Sequence, residues 1–339
     1  MSASAELHVN IIHYVNFLRQ YRSKYNECGC DDIRADSGEA EAIINQWVAE
    51  KTKNKVPEIV TDLPADTALV LVNAIYFKGD WLHKFNATNT KDEDFHVSPS
   101  KAVNVEMMHM KSEDFNVGRN YELHCQAIEL PYAGGNVSMF ILLPDRAETN
   151  LSELEKNLTY EDLLSVKERF RMYPQDVNLW LPRFSMDQKL KLNKALSGMG
   201  MPDLFRERTA DLSGIDGSKN LYVSQVLHRA VVEVNEEGTE AAASTAGVGV
   251  LTSLQLPRDF RANHPFLFFI QDKPTKSVLF LGRLVNPSAV VVTTTPTSDG
   301  NTTTPFITSD GNTAKNLGLS LYFSSCWLLY YISVVTVNF

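Results

Sequence analysis

Apolar positions recur at helical spacing from Gly38 to Lys55, where Ile43, Ile44, Trp47, Val48 and Thr52 share one side and charges occupy the rest. That spacing predicts an amphipathic helix. The period then changes. Thr67 to Lys78 (TALVLVNAIYFK) is a nearly continuous apolar run rich in β-branched and aromatic residues, the mark of a strand buried on both faces. Strand-like runs follow at Gln126 to Leu130, Val137 to Leu143, Val177 to Phe184, Leu221 to Val234, His264 to Ile270 and Val278 to Val285, each bounded by turn or charge signals. Leu151 to Tyr173 and Gln188 to Gly198 carry helix-like patterns. Helices and strands mix without the regular alternation of a doubly wound sheet, so the expected class is α+β.

One stretch fits neither pattern. Gly238 to Ser253 (GTEAAASTAGVGVLTS) is built of small residues; no charge occurs between Glu240 and Arg258, and no proline before Pro257. As a core strand it lacks bulk, and as a loop it is unusually long. If extended with period two, it would place Thr239, Ala241, Ala243, Thr245 and Gly247 on one side. That row is small enough to slide between packed strands. The alanines suit a helix equally well, because alanine has the best helix propensity.

With 339 residues, 44% hydrophobic and 22% charged, the chain can bury a large core. A net charge of −9 argues against a dedicated nucleic-acid surface. Cys28, Cys30, Cys125 and Cys326 are too few and scattered for a disulfide scaffold, and Cys28-Gly29-Cys30 lacks the two-residue gap of a redox or zinc pair. None of the eight histidines has a partner at metal-ligand spacing, and neither GxSxG nor HExxH occurs. No metal, cofactor or enzymatic activity is therefore expected.

Sequons at Asn86, Asn136, Asn150, Asn157 and Asn301 would suit a glycosylated, secreted protein, whereas the opening residues contain no apolar run of leader length. Residues 289–316 shift to Thr, Ser, Asn, Gly and Pro, which reads as a flexible stalk because such a stretch buries too little apolar area to offset its ordering entropy. Residues 317–339 are uncharged and long enough to span a bilayer. A membrane or lipid anchor is one reading of this tail, and a translated non-coding stretch the other.

Glu236 to Thr245 (EEGTEAAAST) resembles the hinge of the reactive centre loop in inhibitory serpins, of an arthropod type. Other landmarks follow in the family's order: Asn73 to Trp81 with Phe85, Leu143-Pro144, Leu181 to Phe184, and Phe280 to Pro287. The resemblance runs from about Gly38 to Pro287 and makes 38–288 the serpin domain. It implies a large central β-sheet with additional sheets and helices, and an exposed reactive centre loop over about 236–258.

It also implies a serine-type endopeptidase inhibitor. The loop is cleaved as bait, and its hinge (Glu236, Glu237, Gly238, Thr239, Glu240, Ala241, Ala242, Ala243, Ser244 and Thr245) enters the sheet while the enzyme is still esterified. The family's spacing puts the reactive bond at Thr252-Ser253, to within about two residues. With Leu251 and Leu254 beside it, the bond suits an elastase- or chymotrypsin-like pocket better than a trypsin-like one, for which Arg258 is the nearest cation. The implied partner is a serine protease in a covalent acyl-enzyme complex, and the implied state is an extracellular monomer. Asn73, Trp81 and His228 take shutter and breach positions, with His228 hydrogen-bonded to Asn73.

The resemblance starts late, which makes 1–37 a divergent or partial N-terminal segment. His13 to Asn26 takes the place of a preceding helix and Cys28 to Ala35 that of an edge strand, with several helices and at least one strand missing. The competing expectation is therefore a truncated serpin that is inactive or non-inhibitory, with a binding or carrier role.

Overall fold

The computed structural model describes residues 10–17 (backbone only), 37–145, 151–217, 219–237 and 256–288. In chain order its strands are β1 (Asn10–Phe17), β2 (Leu69–Phe77), β3 (Lys91–Ser98), β4 (Lys101–Asn120), β5 (Cys125–Pro131), β6 (Val137–Pro144), β7 (Tyr173–Pro182), β8 (Phe184–Lys191), β9 (Gln225–Val234), β10 (Arg258–Arg261), β11 (Phe266–Asp272) and β12 (Ser277–Leu284). The helices are α1 (Ser37–Lys51), α2 (Leu151–Asn157), α3 (Tyr160–Leu164), α4 (Val166–Arg169), α5 (Asn193–Gly198) and α6 (Ser213–Asp216). The chain divides into two compact units, one including 79–184 and 234–288, the other including 37–78 and 185–233.

The second unit is built on a four-stranded sheet in the order β1-β2-β9-β8. Its centre is a parallel pair, β2 beside β9, with eight rungs from Val70 opposite Gln225 to Phe77 opposite Val232. The apolar run that predicted β2 is buried along both faces, as its composition requires. The predicted helix is α1, whose Ala40, Ile44 and Val48 pack with Val70, Val72, Ala74, Tyr76, Leu227 and Val231 on one sheet face. Past its last turn, Lys53 and Asn54 take left-handed φ values of 51° and 61° and stop the helix. Asn45 then fastens the returning chain: its Oδ1 accepts from the amides of Ile59 and Val60 at 2.8 and 2.9 Å, and its Nδ2 donates to the Val60 carbonyl at 2.8 Å.

At the amino end the structure corrects the sequence reading. Asn10–Phe17 is a strand, antiparallel to β2 from Asn10 opposite Tyr76 to Phe17 opposite Leu69. His13 to Phe17 therefore does not begin a helix. Ile, Val, Tyr and Phe favour the pleated surface, and the ladder with β2 supplies the partner that the local pattern did not show.

The first unit carries an eight-stranded sheet in the order β10-β7-β4-β5-β6-β11-β12, with β3 paired to β4. Its organiser is β4, whose 20 residues pair in turn with β3, β7 and β5. A register shift between Met110 and Glu113 interrupts the β7 ladder, the kind of irregularity that bends a strand and increases its twist. Gly118 is obligatory here. A Cβ at that position would sit 2.1 Å from the Phe170 carbonyl oxygen, to which the Arg119 amide donates at 2.6 Å. One face of the sheet (Ala127, Phe140, Leu142, Leu267, Phe269) closes on Leu151, Leu154, Leu163, Val166 and Phe170 from the helical segment.

That segment is three short helices rather than one. Thr159 and Asp162 form a reciprocal capping box, the Asp162 amide donating to Thr159 Oγ1 at 3.2 Å and the Thr159 amide to Asp162 Oδ2 at 2.9 Å. Tyr173 already belongs to β7. Gln188 to Lys191 likewise lie in β8, leaving only Asn193–Gly198 helical. Between Lys78 and Gln126 the pattern predicted no strand, yet the whole of β3 and β4 lies there. β3 reads as a polar stretch (KDEDFHVS) in which only Phe95 is buried.

Candidate functional site

The long small-residue segment connects β9 with β10, so its root is the chain that leaves β9 after Val234. Asn235, Glu236 and Glu237 are described, and the root is tightly held. The indole Nε1 of Trp81 donates to the Asn235 carbonyl at 2.8 Å. Trp81 is itself buried, stacked on Tyr132 at 4.5 Å and edge-on to Phe85 at 6.4 Å.

Glu236 is 7% exposed and fully engaged. Arg183 approaches it with two nitrogens, Nε to Oε2 at 3.0 Å and Nη2 to Oε1 and Oε2 at 2.7 Å each, while Thr90 Oγ1 donates to Oε1 at 2.6 Å. Arg183 Nη1 also reaches Glu106 at 2.8 Å. Burial raises the Glu236 carboxyl, but Thr90 and Arg183 outweigh it and hold the group below the ordinary carboxylate range. Glu236 is therefore an ionised anchor at neutral pH.

Arg183 and Thr90 are the residues that sequence reasoning missed. Arg183 sits inside the landmark Leu181 to Phe184, and a lone cation at the end of an otherwise apolar strand was its available signal. Thr90 carried none. Arg183→Met is expected to lower stability by about 2 kcal/mol, because it leaves a buried carboxylate without its cation. That figure lies between the ~0–1 kcal/mol of exposed pairs and the ~3–5 kcal/mol of breaking a fully buried one, as Arg183 is 39% exposed. Urea denaturation measures it, and adding Glu236→Gln should recover part of the loss.

His228 and Asn73 are directly opposite each other in the β2–β9 ladder. They are 5% and 7% exposed, on the sheet face opposite the α1 contact. The expected hydrogen bond between them is not made among the described residues: Asn73 Oδ1 is buried without a partner. The ladder aligns the two residues without bringing their polar atoms into bonding distance. Burial alone pushes the His228 imidazole down to about 4, so it is neutral at physiological pH.

Of the sequence-predicted hinge, Gly238, Thr239, Glu240, Ala241, Ala242, Ala243, Ser244 and Thr245 lie outside the described residues, as do Leu251, Thr252, Ser253 and Leu254. The chain returns at Leu256, which is 91% exposed, and enters β10 at Arg258. Arg258 pairs with Val177 in the ladder and donates through Nη2 to Gln126 Oε1 at 2.7 Å. A residue held this way is poorly placed to enter a protease pocket. Asn86, Asn136 and Asn157 are exposed, and Asn150 lies outside the described residues. Among the described residues, no group of His, Cys, Asp and Glu is gathered as for a metal, and no helix is long and apolar enough to cross a membrane.

These features define a class: an α+β protein that strings a long, small-residue segment between the end of one sheet strand and the start of an edge strand in another sheet. A family profile described as serpin (serine protease inhibitor) matches residues 13–287. The leukocyte elastase inhibitor of Xenopus laevis is 44% identical over 280 residues, covering 80% of this chain and 73% of that protein. The human leukocyte elastase inhibitor is 42% identical over 282 residues, covering 80% and 74%.

Among solved structures, uncleaved ovalbumin matches with a TM-score of 0.74 at 30% identity, covering 85% of this chain and 79% of that one. A tumour suppressing serpin matches at 0.71 and 27%, covering 83% and 77%. The chain belongs to the serpin family and has the serpin fold.

Proposed function

We propose that this chain inhibits serine proteases of the elastase type by loop cleavage, acyl-enzyme trapping and loop insertion. The observation that carries the reading is the parallel β2–β9 ladder, from whose second strand the small-residue segment continues. That segment can turn back antiparallel to β9 and enter between β9 and β2. One parallel ladder would then give way to two antiparallel ones, with more hydrogen bonds and a slightly better pairing geometry per residue.

The row Thr239, Ala241, Ala243, Thr245 and Gly247 is small enough to enter, and the absence of proline leaves every amide free to join the ladder. The covalent step needs no catalytic group from the inhibitor. The protease serine oxygen attacks the Thr252 carbonyl, the peptide bond to Ser253 breaks, and the Ser253 amine leaves with a proton. Thr252 remains as an ester, and insertion draws it away before water reaches it. Small and apolar residues at Leu251 to Leu254, together with relatives named leukocyte elastase inhibitors, support an elastase-type target.

The test is to mix the full chain with leukocyte elastase and run denaturing gels. A boiling-resistant band containing both proteins, with a new amino terminus at Ser253 or within two residues of it, is the expected result. Complete cleavage of the chain without that band would show a substrate and overturn the proposal.

A further inference from the structure

Five strands have a neighbour on one side only among the described strands: β1 and β8 close the four-stranded sheet, and β3, β10 and β12 lie at the borders of the eight-stranded one. An open strand edge offers unpaired amides and carbonyls to any passing strand, and charges along it are the usual guard. Four of these edges are guarded. β3 carries Lys91, Asp92, Glu93 and Asp94, β8 carries Asp187, Lys189 and Lys191, β10 carries Arg258, Asp259 and Arg261, and β12 carries Arg283.

β1 is the exception. Its 8 residues (NIIHYVNF) include no Lys, Arg, Asp, Glu, Pro or Gly, and most are Ile, Val, Tyr or Phe, types that favour strand pairing. One edge of β1 is taken by β2, and the other has no partner among the described strands.

We propose that this free edge pairs antiparallel with the β1 of a second copy, joining two four-stranded sheets into one across a two-fold axis. The strand's own pattern fits an identical partner. In an antiparallel pair, residues directly opposite share a face, so the axis passes between two copies of one residue. At His13 it sets Ile11 opposite Val15, Ile12 opposite Tyr14 and Asn10 opposite Asn16. At Tyr14 it would set Ile12 opposite Asn16 and His13 opposite Val15, apolar against polar. The His13 register therefore matches like with like. It also prolongs apolar rows already in the sheet, Ile11 with Ile75 and Ala230, Val15 with Leu71 and Val226, and Tyr14 with Val72 and Leu227. A charged partner strand would find no counter-charge on β1, whereas an identical one asks for none. Pairing then gives the open backbone groups of both copies their partners. In this the chain departs from the monomer that the resemblance implies.

Sedimentation equilibrium of the full chain at micromolar concentrations tests the pairing. A reversible equilibrium that stops at two copies is expected, because the two-fold contact uses up both free edges. His13→Lys and His13→Glu should each weaken the dimer by about fivefold, since like charges then stand directly opposite each other. Mixing the two variants should recover that factor. A peptide of sequence 10–17, N-methylated at alternate residues so that it pairs along one edge only, should dissociate the wild-type dimer, and it decides alone if the variants fail to fold. A chain that stays monomeric, whether or not it binds the peptide, would overturn the proposal. So would assembly beyond two copies, a dimer indifferent to the peptide, or a mixture of folded variants no tighter than either alone. The outcome is independent of whether the chain inhibits a protease.

Discussion

Thr239→Arg is expected to abolish the covalent elastase complex while leaving cleavage at the bait bond intact. Position 239 lies thirteen residues before Thr252, outside the stretch whose side chains set specificity, so the protease should still attack and acylate at the normal rate. The change acts later. With period two, residue 239 shares a row with Ala241 and Ala243, and insertion would carry a guanidinium into packed sheet without a counter-charge. Burying an unpaired charge costs several kcal/mol, and each ~1.4 kcal/mol is tenfold in partition between trapping and hydrolysis. The yield of complex per cleavage event should therefore fall by more than about tenfold, and Thr239→Ser should restore it. An unchanged yield in Thr239→Arg would sink the insertion mechanism, whatever the cleavage rate.

Acid should destabilise the second unit through His228, by about 3 kcal/mol between pH 7 and pH 4. The folded value is about 4, against an ordinary 6.5, because the buried imidazole is desolvated. Between those two values the unfolded chain binds a proton that the folded chain does not. Stability therefore rises with pH across that window, falls as pH drops from about 6.5 toward 4, and is insensitive to this group above 6.5. Roughly 1.4 kcal/mol per unit of difference, over the window actually crossed, yields the figure. Chemical denaturation at pH 7, 5.5 and 4 checks it against His228→Gln, whose profile should be flatter by that amount. Parallel profiles would show that His228 takes its proton without unfolding the sheet.

The same residue shows how far a sequence carries. His228 and Asn73 were placed as paired shutter positions only through the family resemblance, and the parallel ladder aligns them. Their lack of a mutual hydrogen bond was not legible, because it depends on side-chain directions set by packing on that face. Arg183 shows the opposite case. Its landmark was recognised, but its role depends on Glu236, 53 positions away, and pairings at that separation leave no local trace.

The missed strands have a related cause. β4 has Val103, Val105 and Met107 in alternation, but its middle carries Lys111, Ser112 and Glu113, where the ladder to β7 shifts register. A run that bends to serve three partners does not keep one period. Conversely, Leu151 to Tyr173 keeps apolar residues at helical spacing although Thr159 caps a new helix in its midst and Tyr173 begins a strand.

What the sequence determined by itself was the class of fold, the helix α1, the strands with continuous apolar runs and the small-residue character of residues 238–253. Each of these follows from residue type and spacing within a dozen positions. Only the tertiary structure decided that residues 10–17 form a strand, that β2 and β9 are parallel neighbours, and that Glu236 is anchored by Arg183 and Thr90. Those arrangements depend on which distant backbone amides and charges find one another, and the free energy that selects them comes from burial, which no local pattern encodes.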